Sequence, residues 1–140
     1  MRIQIVILSA FASPLRSGAE ACAEEVAVRL KDAYDITILT AKMRSDVPRQ
    51  GMLPNGVKVR RVGLGLGIDK WLFPFLAPFA ARSLKPDLLH AVLETFAGLA
   101  LRFCRITCSG IPSVLTLQTT NSQFLRKFII AKPTALTAIS

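Results

Sequence analysis

The chain has 140 residues, 51% of them hydrophobic and 19% charged, which is enough for one domain with a packed core and excludes a globally disordered chain. Eighteen Lys and Arg against nine Asp and Glu leave a net charge of +9, which favours anionic partners such as nucleotides or phospholipids. The basic residues are scattered, no long run of like charge and no nucleic-acid motif accompanies them, and a nucleic-acid partner is not expected.

Residues 2–9 form a short apolar run without alternation, the pattern of a strand covered on both faces. The stretch SPLRSGAEACAEEVAVRL follows, and Ala19, Cys22, Ala23, Val26, Ala27 and Leu30 recur at helical spacing. Ser17-Gly18-Ala19-Glu20 fits a capping box, which by itself accounts for those residues. The same turn suits a phosphate, because helix-opening amides after a first strand carry unpaired N–H groups and partial positive charge. Gly18 would let a ligand come close to the backbone, and Arg16 would add a cation. Chemistry alone leaves both readings open.

DITILTA, from Asp35, is a second buried strand. A polar loop with Pro48, Gly51, Pro54 and Asn55-Gly56 leads to VKVRRVG, an alternating strand expected nearer an edge. Gly63, Gly65 and Gly67 then make a flexible loop, since they lack the spacing of a dinucleotide fingerprint. An aromatic, proline-broken helix follows, carrying Trp71, Phe73 and Phe75 between Lys70 and Arg82. Aromatic side chains flanked by cations suit contact with an anionic membrane surface, although the same residues could cover a sheet. PDLLHAV is a fourth strand, Thr95 to Ser109 a helix, SVLTLQT a fifth strand, SQFLRKFIIAK a short helix and TALTAIS a sixth strand.

Strands alternating with helices imply an α/β fold: a doubly wound, mainly parallel, Rossmann-like sheet of about six strands with helices on both faces. Ligands bind such sheets beyond the carboxyl ends of the strands. His90 approaches one such end, and Glu94, Gln118, Thr119 and Ser122 follow two of them. Each has a structural alternative, as a core histidine or as helix-capping residues.

Cys22, Cys104 and Cys108 form no even disulfide framework, which suits a reducing, cytoplasmic setting. Their spacing gives no zinc pattern with His90, and neither metal nor cofactor is expected. MRIQIVILSAFA has the outline of a secretory signal. Gln4 interrupts its apolar run, however, and cleavage would remove the first strand. No apolar run reaches the length of a spanning helix.

Taken in order, MRIQIVILSAFASPLRSGAEACAEEVAVRL, DITILTA, KPDLLHA, GIPSVLTLQT and ALTAIS resemble the N-terminal domain of family 4 glycosyltransferases of the GT-B fold. The resemblance spans nearly all of residues 1–140 and implies the acceptor-binding half of a retaining hexosyltransferase. Such an enzyme moves sugar from a nucleotide-sugar to a glycan or lipid-linked acceptor. By that likeness Gly18, with Ser17 and Arg16, faces the donor diphosphate, while His90, Glu94, Gln118, Thr119 and Ser122 face the acceptor. Glu94 is the one weak catalytic candidate. The nucleotide-gripping second domain is not within these residues, so this piece alone is expected to be inactive. Three positions depart from the family pattern: Ser17 replaces a turn glycine, while Val92 and Gln118 replace histidines. Neither Val nor Gln can serve as a base. The alternative from another class is a non-catalytic peripheral membrane or anion-binding module.

Overall fold

The computed structural model describes residues 3–9, 18–52, 56–92, 96–107, 110–117 and 135–138. In chain order the elements are β1 (Gln4–Leu8), α1 (Gly18–Leu30), β2 (Asp35–Ala41), β3 (Gln50–Met52), β4 (Lys58–Val62), α2 (Asp69–Ser83), β5 (Leu88–Val92), α3 (Phe96–Thr107), β6 (Ser113–Leu117) and β7 (Ala135–Ala138). They build one sheet ordered β3-β4-β2-β1-β5-β6-β7. Every described pairing is parallel except β3 with β4. The strand order reverses at β1, with β2 on one side and β5 on the other. In a doubly wound sheet that reversal opens a crevice above the strand ends.

The continuous apolar reading of β1 is borne out, because its two faces feed two separate cores. Val6 and Leu8, with Leu39, Leu89 and Ala91, pack beneath α2 and α3, meeting Phe73, Ala77, Leu99, Ala100 and Cys104. Ile5 and Ile7, with Ile36, Ile38, Val57 and Val59, pack beneath α1 at Ala27. A parallel strand covered on both faces has no solvent side, which is why the pattern shows no alternation.

Three expectations are corrected. The polar loop before β4 contains a seventh strand, β3, which runs antiparallel and shields the edge. Its three residues, Gln50, Gly51 and Met52, are all exposed, so no hydrophobic period marks it. The aromatic helix is not broken: α2 runs without interruption through Pro74 and Pro78, both buried. Each proline removes a donor from the helix ladder, at a cost of up to about 3 kcal/mol. Burial against the sheet and α3 offsets that loss, and Thr107 Oγ1 donates to the Pro78 carbonyl at 3.0 Å. Third, Phe73 does not lie on an outer aromatic face with Trp71 and Phe75. It is fully buried, whereas Trp71 and Phe75 are more than half exposed. The helix SQFLRKFIIAK falls outside the described residues.

Polar contacts collect at the amino-terminal edge of the sheet. Asp35 accepts from Gln4 Nε2 at 2.6 Å and from Lys58 Nζ at 3.0 Å, and Asp87 accepts from the Gln4 N–H at 2.9 Å. These carboxylates therefore stand at the end of the sheet opposite the crevice, where their field opposes an incoming anion least.

Candidate functional site at the carboxyl rim

The rim follows from the strand ends: β1 stops at Leu8, β2 at Ala41, β4 at Val62, β5 at Val92 and β6 at Leu117. The helix after β1 opens at Gly18, as the sequence indicated. In a parallel sheet this puts the first amides of α1 on the carboxyl side of the central strand, where unpaired N–H groups and the helix dipole favour negative charge. Ser9, at the end of β1, is buried, and its N–H donates to the Leu39 carbonyl at 3.1 Å.

His90 lies inside β5, level with Ile7 of β1 and Val114 of β6. Its neighbours Leu89 and Ala91 belong to the core under α2 and α3. By alternation the imidazole therefore stands on the face that α1 covers. It is partly buried, and burial lowers its pKa below the ordinary histidine value. A neutral imidazole at physiological pH offers one donor and one acceptor. That suits a sugar hydroxyl better than it suits a phosphate. Val92 closes β5 two residues later. The other candidates, Arg16, Ser17, Glu94, Gln118, Thr119 and Ser122, lie outside the described residues.

On the β4 side the rim is closed by the protein itself. The Asp69 side chain is fully buried at the start of α2. Its Oδ2 accepts from the N–H groups of Met43 at 2.9 Å, Gly65 at 2.8 Å and Leu66 at 3.2 Å, and its Oδ1 accepts from Leu64 at 2.9 Å. Burial alone would raise this carboxyl's pKa, but the backbone donors from Leu64, Gly65, Met43 and Leu66 prevail and lower it. The glycine loop expected to be flexible is thus pinned on a buried anion. A ring of converging N–H groups is an anion nest, and here a side chain of the same chain fills it. Gly63 leaves room for this carboxylate and Gly65 donates to it, so these two glycines serve a contact within the chain.

Two buried polar groups, Thr40 and Arg61, stand at this end of the sheet. Thr40 is almost fully buried near the end of β2, and its Oγ1 has no hydrogen-bond partner among the described residues. Its neighbour across the ladder, Arg61, is 8% exposed and donates from Nη1 to the Pro48 carbonyl at 3.0 Å. Burial lowers the Arg61 pKa. Thr40 shows in the sequence as a polar residue in the mostly apolar run DITILTA, whereas nothing in the charged VKVRRVG marks Arg61 as the arginine that is buried. A cleft of about 410 Å³, lined by Thr37, Gln50, Lys58, Arg60 and Leu84 among others, opens instead beside β3 and the end of α2, away from the rim.

The family model for Glycosyltransferase Family 4 matches residues 16–139. The chain belongs to Glycosyltransferase Family 4. The family model leaves out only residues 1–15 and Ser140, so it covers the α1 start, His90 and every candidate acceptor position. Among solved structures the family domain is similar to sucrose-phosphate synthase from Thermosynechococcus elongatus, with a TM-score of 0.75 at 12% identity over 96% of this chain and 42% of that one. A second structure of that synthase, which spans a part of it, gives 0.74 at 12% identity over 98% of this chain and 76% of that one. At this identity the likeness shows the fold, a Rossmann-like domain as found in GT-B glycosyltransferases. The chain spans 42% of the length of the first of these structures. No curated protein sequence matches it. Family membership makes it a glycosyltransferase-family domain.

Proposed function

We propose that this domain is the acceptor-side half of a retaining glycosyltransferase that moves a sugar from a nucleotide-sugar donor to a glycan or lipid-linked acceptor. The single observation carrying this reading is the opening of α1 at Gly18, behind the central strand of a parallel sheet in a family 4 chain. In this reading the amides around Gly18, with Ser17 and Arg16, approach the donor diphosphate. The absent Cβ of glycine lets phosphate oxygens come within hydrogen-bond reach of the backbone. His90, neutral because it is partly buried, hydrogen-bonds an acceptor hydroxyl, while Gln118, Thr119 and Ser122 supply further polar contacts. Glu94, just past the end of β5, is the carboxylate nearest in sequence to that acceptor site. Transfer takes place against a second domain that grips the nucleotide, and no metal takes part.

The test uses amide shifts of the isotopically labelled chain during titration with pyrophosphate and with UDP. Shifts concentrated at the first turn of α1, and weakened about tenfold or more by Gly18→Val, support the reading. Shifts that avoid α1, or that persist unchanged in Gly18→Val, overturn it. Shared movement of the His90 ring signals with a sugar acceptor, and not with pyrophosphate, is the expected mark of the acceptor side.

A further inference from the structure

Among the described residues, seven of the eleven exposed large apolar side chains fall along a ridge between Leu64 and Phe79, while Ile3, Leu30, Met52 and Ile106 stand elsewhere. Leu64, Leu66 and Ile68 stand 63%, 54% and 53% exposed on the loop entering α2. Trp71, Phe75 and Phe79 continue the ridge along α2 at i, i+4 and i+8, and are 55%, 59% and 68% exposed. The ridge is firmly held. Asp69 fixes the loop backbone through Leu64, Gly65 and Leu66, and the opposite face of α2 is buried at Phe73, Ala77, Ala80 and Ala81. On the side toward α3, Phe75 stacks on Phe103 at a centroid separation of 5.5 Å.

The charge beside this ridge is mainly positive: its loop backs onto Ser45, and the exposed carboxylate of the adjoining Asp46 is paired with Arg44. Between Asp46 and Asp87 the sequence holds a single acidic residue, Asp69, and its carboxylate is buried. Lys70 lies at the head of α2, and Arg82 and Lys85 stand exposed at its end. A ridge of aromatic rings bordered by cations, with the neighbouring Asp46 carboxylate already paired with Arg44, calls for a partner that is apolar and anionic at once. A second copy of the same ridge would supply the apolar surface but would also bring like charges together. An anionic bilayer supplies both: rings settle at the boundary of headgroups and acyl chains while cations meet lipid phosphates.

We propose that the Leu64–Phe79 ridge docks this domain onto an anionic phospholipid bilayer, lying in the interface without crossing it. No helix among the described residues is long and apolar enough to cross a membrane, which agrees with a surface contact. The proposal does not rest on the sugar-transfer reading, because its readout needs no substrate.

Trp71 is the sole tryptophan of the chain, so its emission reports on the ridge directly. The chain is mixed with phosphatidylcholine vesicles with or without phosphatidylglycerol, and emission and co-sedimentation are followed. The expected result is a blue shift, quenching by brominated acyl chains, and sedimentation with the phosphatidylglycerol vesicles. Phe75→Ser with Phe79→Ser should weaken partitioning at least tenfold, and Arg82→Gln about fivefold. An unshifted emission from the folded chain in the presence of anionic vesicles overturns the proposal. Equal binding by the Phe75→Ser, Phe79→Ser variant also overturns it. So does a blue shift that grows with protein concentration in the absence of lipid alongside a dimer in sedimentation, which would assign the ridge to a second copy.

Discussion

A Cβ placed on Gly63 would fall 2.5 Å from Oδ2 and 2.7 Å from Oδ1 of Asp69, so the glycine vacates the space that the buried carboxylate occupies. Gly63 also holds φ at +128°, a region that L side chains rarely adopt. Sterics and backbone conformation therefore demand glycine independently. The pair ties the end of β4 to the head of α2, and through Met43 to the end of β2.

Replacing Gly63 should be costly where replacing its neighbour is not. Gly63→Ala should lose about 2–4 kcal/mol of stability in urea denaturation, from strain plus displacement of the carboxylate. At Gly67 a Cβ would meet nothing within 4 Å, and Gly67→Ala should stay within about 0.5 kcal/mol of the parent. Equal effects at the two positions would show that the carboxylate does not constrain the loop.

Asp69→Asn keeps the shape but removes the charge and turns an N–H2 toward backbone donors. Stability at neutral pH should fall by about 3 kcal/mol. Because the native pKa is lowered, the carboxylate's contribution is fully present above the ordinary carboxyl range and is lost as pH falls through the native value. The gap between parent and variant, read from denaturant midpoints, should accordingly close in acid. Hydrogen exchange at Gly65 and Leu66 should quicken in the variant.

The two phenylalanines of α2 separate packing from surface. Phe73→Ala empties a fully buried site between α2 and the sheet and should cost about 3–5 kcal/mol. Phe75→Ala, exposed but stacked on Phe103, should cost about 1 kcal/mol. Thermal or urea unfolding of the two variants measures the contrast.

His90 should make stability fall as the solution is mildly acidified. Its native pKa is lowered by burial, so the unfolded chain takes up the proton first, near the ordinary value of about 6.5. Above that value the residue adds no pH dependence. Below it, protonation draws the equilibrium toward the unfolded chain until the native imidazole also titrates. His90→Gln should flatten the part of the stability curve between neutrality and about pH 5.5, before most carboxylates titrate.

Much of the architecture was determined by the sequence alone, because periodicity reports burial. The unalternating runs at residues 4–8 and 35–41 marked strands covered on both faces, and the Ala-rich stripe of α1 marked a helix packed on a sheet. The order of these runs along the chain carried both the parallel topology and the family resemblance, and placed Gly18 at the opening of the first helix. What local pattern could not hold was left to the tertiary structure. β3 exists only because β4 offers it an edge, since Gln50, Gly51 and Met52 have no burial to impose a period. α2 continues through two prolines because packing outweighs the lost ladder donors. The glycine loop is firm because a carboxylate several residues on finds four amides brought together from two strand ends, Met43 among them. Phe73 turns inward while Trp71 and Phe75 face out because α2 has one side against the sheet and one in solvent. A run of aromatic residues states that the rings are there; the partner surface decides which of them it buries.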